Sequence, residues 1–223
     1  EDVVKHKANL GLAYDGDADR LIAVDENGNI VDGDHIMVLS AIHLKNKGKL
    51  AQDTLVVTVM SNIGLTIAAK EHGINLATTA VGDRYVLEEM KNSGYNLGGE
   101  QSGHMIFLDY NTTGDGVLSS LVLAQIVLEE GKNLSELAAV MTQYPQVLVN
   151  ARIKNENKNK YMEYPEIKYE IERIEKLLDG CGRVLIRPSG TEPLVRVMLE
   201  GKEEGQIKEL ATNLANLIQE KLS

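Results

Sequence analysis

Three aspartates at alternate positions, Asp15, Asp17 and Asp19, follow directly after the apolar run of residues 10–14. The run predicts a buried strand, and the small residues between the aspartates allow the backbone to turn tightly around one point. Three carboxylates that converge on one point repel one another unless a cation lies among them. So small a set of hard oxygen ligands suits Mg²⁺, which completes its coordination shell with water and phosphate oxygens. The motif therefore predicts a divalent metal site of the kind that supports phosphoryl chemistry.

Two other kinds of acidic motif share part of this pattern. In an EF-hand calcium loop, Glu26 would take the bidentate position, but Arg20 stands where that loop requires glycine and both flanks predict strands instead of helices. A phosphatase of the haloacid-dehalogenase type also places Asp-x-Asp after a strand, but normally has Thr or Val at the position of Asp19. A solvated acidic turn would leave the repulsion among the carboxylates uncompensated. We retain the magnesium site as the prediction.

A second polar segment lies between two predicted strands near the C-terminus. It offers guanidinium groups, hydroxyls and a glycine turn whose amides can face inward, from Arg187, Ser189, Gly190, Thr191 and Arg196. These donors suit an oxyanion with several acceptor oxygens, and phosphate above all. Two prolines stiffen the loop and so reduce the entropy lost when an anion binds. The segment predicts a phosphate site; the alternative is a hairpin connection with incidental polar residues.

A glycine-rich segment that follows another predicted strand carries Glu100, Ser102 and His104. The carboxylate of Glu100 can accept hydrogen bonds from sugar hydroxyls or an amine, and the other two side chains can donate to hydroxyls or phosphate. The neighbouring glycines allow the backbone to approach a ligand closely. A glycine-rich turn with one histidine satisfied in the core explains this segment nearly as well when it is considered alone.

A strand-to-helix turn carries Thr79, Gly82 and Arg84, where outward-facing backbone amides and one cation could hold an anion. An ordinary turn with a surface arginine is an equally good interpretation. Asp115 is expected to cap a helix. Three other histidines are expected on helix surfaces: His35, His43 and His72.

The elements that must position these residues alternate between strand and helix over residues 27–140. Apolar periodicity and glycine stops predict four helices, and the last is so apolar that a central place is expected for it. This alternation favours an α/β domain with a mixed, mostly parallel sheet. The predicted strands are 55–60, 76–80, 97–99 and 105–108, and the predicted helices are 34–47, 61–71, 83–91 and 115–130.

The pattern changes after Pro145 to the order β-α-β-β-α, which predicts a small two-layer α+β domain over residues 145–223. Residues 1–26, with the metal loop, resemble the end of a preceding domain. The predicted elements of the last domain are strand 146–153, helix 165–178, strands 183–187 and 194–199, and helix 204–222.

The composition excludes several classes of protein. A net charge of −10 argues against a nucleic-acid binder, although local cations can still bind phosphate. No apolar run approaches the roughly 20 residues of a membrane span, and the N-terminus lacks the features of a signal peptide. Cys181 is the only cysteine, so no internal disulfide forms, which fits a reducing cytoplasm. The missing initiator Met suggests a fragment of a longer protein.

Three blocks in order, residues 15–20, 99–104 and 187–193, resemble the α-D-phosphohexomutase superfamily. Within it, residues 97–104 and 110–116, together with 144–150, are most similar to the bacterial phosphoglucosamine mutase branch. The resemblance covers essentially the whole chain. Three ordered motifs are far more specific than any one of them.

The resemblance implies four domains around a central cleft, of which this chain holds the end of the second, the third over residues 27–140, and the fourth. The first domain, which carries the phosphorylated serine, would be missing, so the fragment is expected to fold but to lack activity. The implied reaction interconverts glucosamine 6-phosphate and glucosamine 1-phosphate through glucosamine 1,6-bisphosphate, in the supply of peptidoglycan precursors. A homodimer through the missing domain is compatible with the resemblance.

The resemblance also implies a role for each set of candidate residues. The three aspartates would hold Mg²⁺, and Arg20 would steady the transferring phosphoryl group. The glycine-rich segment would grip the sugar, assisted by the turn from Thr79 to Arg84, where phosphomannomutases often have Lys close to the arginine. The C-terminal segment would hold the phosphate that is not reacting. A phosphomannomutase, a phosphoglucomutase and a non-catalytic phosphosugar-binding module remain the alternatives.

Overall fold

A computed structural model describes residues 1–223 and divides them into two units, Glu1–Thr142 and Gln143–Ser223. Each unit buries apolar side chains in a core of its own. No helix combines the length and the apolar composition needed to cross a bilayer.

The first unit contains seven strands and six helices. Its strands are β1 (Leu10–Tyr14), β2 (Leu21–Asp25), β3 (Ile30–Val31), β4 (Thr54–Thr58), β5 (Asn75–Thr79), β6 (Leu97–Gly99) and β7 (Met105–Phe107). Its helices are α1 (Asp2–His6), α2 (Gly33–Asn46), α3 (Ile63–Glu71), α4 (Asp83–Ser93), α5 (Gly116–Glu130) and α6 (Leu134–Ala138).

The main sheet of this unit has the strand order β5-β4-β6-β7. β4 runs parallel to β5 and β6, whereas β7 returns antiparallel to β6. Side chains of β4 alternate between two cores: Leu55 and Val57 pack with α2, α3 and α5, and Val56 packs with Val86 and Met90 of α4. Helices therefore cover both faces of the sheet, which confirms the predicted mixed, mostly parallel α/β fold.

A second, antiparallel sheet has the order β1-β2-β3, and the loop of residues 15–20, which carries the three aspartates, connects its first two strands. The prediction of a buried first strand was only half right. The segment is a strand, but it lies at the edge of the sheet, so Leu12 and Tyr14 are 38% and 42% exposed. The buried apolar row belongs to β2 instead, with Leu21 and Ala23 fully enclosed.

Helix α5 is not enclosed on all sides, contrary to the expectation from its composition. One side packs on α2, β2 and β7, and Leu123 and Ile126 are buried there. The opposite side is open, and Leu121 and Leu128 are 65% and 82% exposed. An apolar composition all round the helix predicts burial, but here only one side meets a neighbour.

Two local boundaries also differ from the sequence predictions. β4 ends at Thr58 because the following residues turn, with the amide of Ser61 donating to the carbonyl of Thr58 at 3.1 Å. The short helix α1 was not predicted, since it buries no residue and shows no apolar periodicity. The side chain of Asn62 caps α3 by accepting a hydrogen bond from the amide of Gly64.

The second unit has the predicted β-α-β-β-α order. Its elements are β8 (Gln146–Arg152), α7 (Pro165–Leu177), β9 (Arg183–Pro188), β10 (Leu194–Glu200) and α8 (Glu204–Leu222). The antiparallel sheet has β10 in the middle, between β8 and β9. Both helices pack against this sheet and against each other, so the small α+β fold is confirmed.

Candidate functional site

The three aspartates lie together at the end of β1. One ligand atom from each of Asp15, Asp17 and Asp19 can be chosen so that all three lie within 4.8 Å of one another. The Oδ1 atom of Asp19 is buried and has no hydrogen-bond partner. The only nearby cation is exposed Arg20, whose Nε lies 3.6 Å from Asp15 and 4.0 Å from Asp19. Three clustered carboxylates with one weak cationic neighbour and an orphaned buried oxygen fit a divalent cation.

The backbone of this loop is held by segments that are distant in sequence. Ala18 has a left-handed φ of 58°, which a non-glycine residue adopts at a cost. Its carbonyl accepts from the amide of Gly116 at 2.9 Å, at the start of α5. The amide of Leu21 donates to the carbonyl of Gly103 at 3.1 Å. The loop flanks are strands, which also excludes the EF-hand geometry.

His104 is only 5% exposed and contacts one of the three aspartates. Its Nδ1 is 2.8 Å from Oδ2 of Asp19. Its Nε2 accepts a hydrogen bond from the amide of Gly114 at 3.1 Å. Both ring nitrogens are thus engaged within the protein, so no ring donor is left for a sugar. The structure therefore places the ring of His104 against Asp19, one of the three clustered aspartates.

Glu100 and Ser102 face an open cleft of about 350 Å³, which Thr58, Met60, Val81 and Gln101 also line. The Oε1 atom of Glu100 accepts from the amide of Gly82 at 2.9 Å. This bond joins the glycine-rich segment to the strand-to-helix turn that the sequence marked as a second candidate.

The other residues of that turn contribute less to the cleft. The hydroxyl of half-buried Thr79 donates to the carbonyl of Ala80 at 3.0 Å, within its own turn. Arg84 is exposed at the first turn of α4 and forms no ion pair. The structure therefore connects Gly82 directly with Glu100, but leaves Arg84 free at the surface.

The glycine-rich segment rests on the first turn of α2. The amide of Gly33 donates to the carbonyl of Gln101 at 3.1 Å, and a Cβ on this glycine would lie 2.3 Å from the Glu100 carbonyl oxygen. Asp32 caps this helix and accepts from both the amide and Nδ1 of His35. Burial acts to raise the pKa of Asp32, but the hydrogen bonds and charge of His35 outweigh it, so the pKa is lowered.

Two histidines expected on helix surfaces are in fact buried. His35 is 7% exposed because it turns back onto the helix cap. His43 is also 7% exposed, since its ring lies between the carboxylates of Glu129 and Glu130 at the end of α5. Helical periodicity could not show these contacts, because their acceptors lie on another helix or at the cap.

In the second unit, Arg187 of β9 lies directly opposite Arg196 of β10. Burial lowers the pKa of Arg187, and the charge of Arg196 lowers it further. Neither guanidinium forms an ion pair with a carboxylate. Like charges placed opposite each other are destabilising, so this pair offers a site for an anion.

The loop between these strands carries the other phosphate candidates. Ser189 is 5% exposed, and its hydroxyl oxygen accepts from the amide of Glu192 at 3.2 Å. Gly190 and Thr191 are exposed at the tip. The Nζ of Lys158 donates to the carbonyl of Ser189 at 2.8 Å.

The sequence did not predict two residues that contact the candidate sites, Lys158 and Gly114. Lys158 comes from a polar Asn/Lys stretch that carried no signal of a role. Gly114 lies in a glycine-containing segment before a long apolar helix, and this segment was the one indication in the sequence that a close backbone contact forms there.

Two family models match the chain. The model described as phosphoglucomutase/phosphomannomutase, alpha/beta/alpha domain III, covers residues 32–144, and the model of the C-terminal domain covers residues 148–217.

Curated relatives match nearly the whole chain. Phosphoglucosamine mutase of Clostridioides difficile (strain 630) is 85% identical over 221 residues, which cover 99% of this chain and 49% of that protein. The phosphoglucosamine mutase of Caldanaerobacter subterraneus subsp. tengcongensis is 66% identical over the same shares of the two chains. This chain therefore spans about half the length of the curated relatives it matches.

Solved structures share the fold at low identity. The crystal structure of Aspergillus fumigatus N-acetylphosphoglucosamine mutase in complex with GlcNAc-6P and magnesium has a TM-score of 0.76 at 22% identity, over 95% of this chain and 49% of that chain. A phosphoglucomutase/phosphomannomutase family protein from Burkholderia thailandensis has a TM-score of 0.76 at 20% identity, over 100% and 49%. With one family model alone covering half of its residues, the chain belongs to the phosphoglucomutase/phosphomannomutase family.

Proposed function

We propose that this chain is part of a phosphoglucosamine mutase, which interconverts glucosamine 6-phosphate and glucosamine 1-phosphate. The observation that carries the proposal is the cluster of Asp15, Asp17 and Asp19 at the end of β1. The relatives named phosphoglucosamine mutase, at up to 85% identity, support the choice of substrate over other hexose phosphates.

The three aspartates would hold Mg²⁺, in keeping with the magnesium complex of the Aspergillus enzyme. A bound divalent ion supplies positive charge where negative charge builds on a transferring phosphoryl group. Arg20 is 51% exposed and only weakly paired, so its side chain is free to contact the same phosphoryl group.

Glu100 and Ser102 would bind the sugar, because both side chains line the open cleft. The bond from Gly82 to Glu100 fixes one carboxylate oxygen and leaves the other for a hydroxyl or the amine of the substrate. Thr79 and Arg84 remain proposed neighbours of the sugar. The unpaired arginines Arg187 and Arg196, with the loop of Ser189, Gly190 and Thr191, would hold the phosphate that is not reacting.

The phosphorylated serine of the proposed reaction belongs to a domain that this chain does not contain. We therefore expect the 223-residue chain to fold but to show no mutase turnover. Four further expectations stay predictions. They are the domain boundaries at residues 26, 140 and 145, the supply of peptidoglycan precursors, the cytoplasmic location, and a homodimer through the missing domain.

The test is turnover of the full-length protein on glucosamine 6-phosphate, glucose 1-phosphate and mannose 1-phosphate, with glucosamine 1,6-bisphosphate as activator. We expect the highest kcat/KM on the glucosamine substrate and loss of activity when a chelator removes divalent ions. Asp17→Asn should abolish turnover, whereas Asp53→Asn, at an exposed aspartate of the same unit, should not.

Other outcomes would point to the alternatives. Preference for mannose or glucose phosphate would identify another branch of the family. Phosphosugar binding without turnover in the full-length protein would indicate a binding module, and an acyl-phosphate on Asp15 would indicate dehalogenase-type chemistry.

A further inference from the structure

We infer that His104 is a positioning residue for the metal site: it fixes the carboxylate of Asp19 in one orientation, and the amide of Gly114 fixes its tautomer. The inference rests on the proposed metal site. It assigns His104 to the proposed metal site, whereas the sequence pattern placed His104 with Glu100 and Ser102 in the segment expected to bind sugar.

The tautomer follows from the partners of the ring. A backbone amide can only donate, so the amide of Gly114, 3.1 Å from Nε2, requires a lone pair on that nitrogen. The ring proton then lies on Nδ1, which donates to Oδ2 of Asp19 at 2.8 Å. The Asp83 carboxylate is 4.0 Å from Nε2, beyond hydrogen-bond reach, and does not compete for this nitrogen.

The two oxygens of Asp19 consequently differ. Oδ2 is held by the histidine, while Oδ1 is buried and has no hydrogen-bond partner. A buried carboxylate oxygen without a partner is costly, and a metal ion would satisfy it. Asp15 and Asp17 are exposed, and Asp15 accepts only one long bond, from the amide of Arg20 at 3.3 Å, so Asp19 is the carboxylate whose direction is set most firmly before an ion binds.

Gly114 has a steric role in the same arrangement. A Cβ built on this residue would lie 2.3 to 2.5 Å from three atoms of the His104 ring. Only glycine at position 114 allows the His104 ring to lie this close to the amide that donates to it. A substitution 95 positions beyond Asp19 in the chain is therefore expected to change the metal site.

The physical benefit is preorganisation. A ligand that already points toward the ion loses less conformational freedom on binding, and hydrogen-bond partners of metal ligands change metal affinity by about 10- to 100-fold. The effect should appear in metal affinity itself, independently of turnover.

The experiment titrates the 223-residue chain with Mn²⁺ and measures free ion by electron paramagnetic resonance. We expect His104→Ala and Gly114→Ala to raise the dissociation constant by about 10- to 100-fold. His104→Asn should retain most of the affinity, because its amide nitrogen can donate from the position of Nδ1. His72→Ala, at an exposed histidine of the same unit, should change nothing.

A second measurement does not need the metal. Long-range ¹H–¹⁵N correlation spectra of the metal-free chain should show the His104 proton on Nδ1. A proton on Nε2 would overturn the inference, and so would equal Mn²⁺ affinity of the wild type and His104→Ala. Equal losses in folded His104→Asn and His104→Ala would also overturn it.

The failure of the underlying proposal is recognised separately. If the wild-type chain binds Mn²⁺ no better than Asp17→Asn, the proposed metal site is wrong and this inference is rejected with it. If the wild type binds Mn²⁺ better than Asp17→Asn but the His104 variants bind it equally well, the proposed metal site is supported and only the role of His104 is rejected.

Discussion

Asp15, Asp17 and Asp19 are the same residue type in one short motif, but their surroundings would make them different metal ligands. Only Asp19 has a buried neighbour that orients it, whereas the other two are exposed at the surface of the loop. The spacing of the aspartates was sufficient to predict the cluster. The partner of Asp19 could not be predicted, because it lies 85 positions away and its effect depends on which ring nitrogen faces the loop.

Arg196 offers a test of the phosphate site at the scale of one residue. Arg196→Ala should weaken binding of inorganic phosphate or phosphosugar by ~1–3 kcal/mol, the range of charge-assisted hydrogen bonds. Because the variant also removes the repulsion on Arg187, the anion-free chain should be no less stable than the wild type. Calorimetric titration and urea unfolding measure the two effects.

Arg173→Ala is the matched control, since this arginine is exposed on α7 and already paired with Glu170. Its loss should leave phosphate affinity unchanged. Unchanged affinity in Arg196→Ala as well would reject the assignment of the arginine pair to phosphate.

At the scale of elements, type was easier to predict than burial. β-branched residues and glycine stops located β4 and α3, and the periodic helices α2 and α4 ended within two residues of expectation. The burial of β1 and α5 was overestimated, because an apolar run does not reveal whether both of its sides meet a neighbour. That depends on strand order: β1 lies at the edge of its sheet.

Two leucines of α5 test whether burial, and not residue type, determines the contribution to stability. Leu123→Ala should destabilise the chain by about 2–5 kcal/mol, because Leu123 is fully buried and the change leaves a cavity. Leu121→Ala, two positions earlier and 65% exposed, should change the free energy of unfolding by less than about 0.5 kcal/mol. Urea unfolding of both variants measures the difference, and equal losses would show that the open side of α5 is covered in solution.

The cap of α2 predicts a dependence of stability on pH. The pKa of Asp32 is lowered in the folded chain, so its stabilising contribution is complete above the ordinary pKa of about 3.9 and is lost as pH falls through the lowered value. Asp32→Asn should therefore lose less stability than the wild type as pH falls from roughly 5 to 2.

Urea unfolding at several pH values measures this slope. Asp53→Asn, at an exposed aspartate of the same unit, is the control for removal of a carboxylate. A slope for Asp32→Asn that matches the wild type would mean that Asp32 titrates alike in the folded and unfolded chain.

At the scale of the whole molecule, the chain comprises two units with separate cores. The order of strands and helices predicted both folds, because alternation favours a parallel sheet and β-α-β-β-α favours an antiparallel one. The order of elements could not predict the contacts that hold the aspartate loop, residues 15–20, within the first unit. Those contacts run to the backbone of Gly103 and Gly116, residues whose partners only the folded chain reveals.

The register of β9 and β10 places Arg187 directly opposite Arg196, and neither arginine is paired with a carboxylate. An oxyanion seated there would act as a clamp across neighbouring strands, since it would bond both arginines at once. Binding of an oxyanion at this pair would then be visible as slower amide exchange along the β9–β10 hairpin. The arginine pair would thus destabilise the sheet without an anion, and the amide exchange rate of the sheet would report how much phosphate is bound.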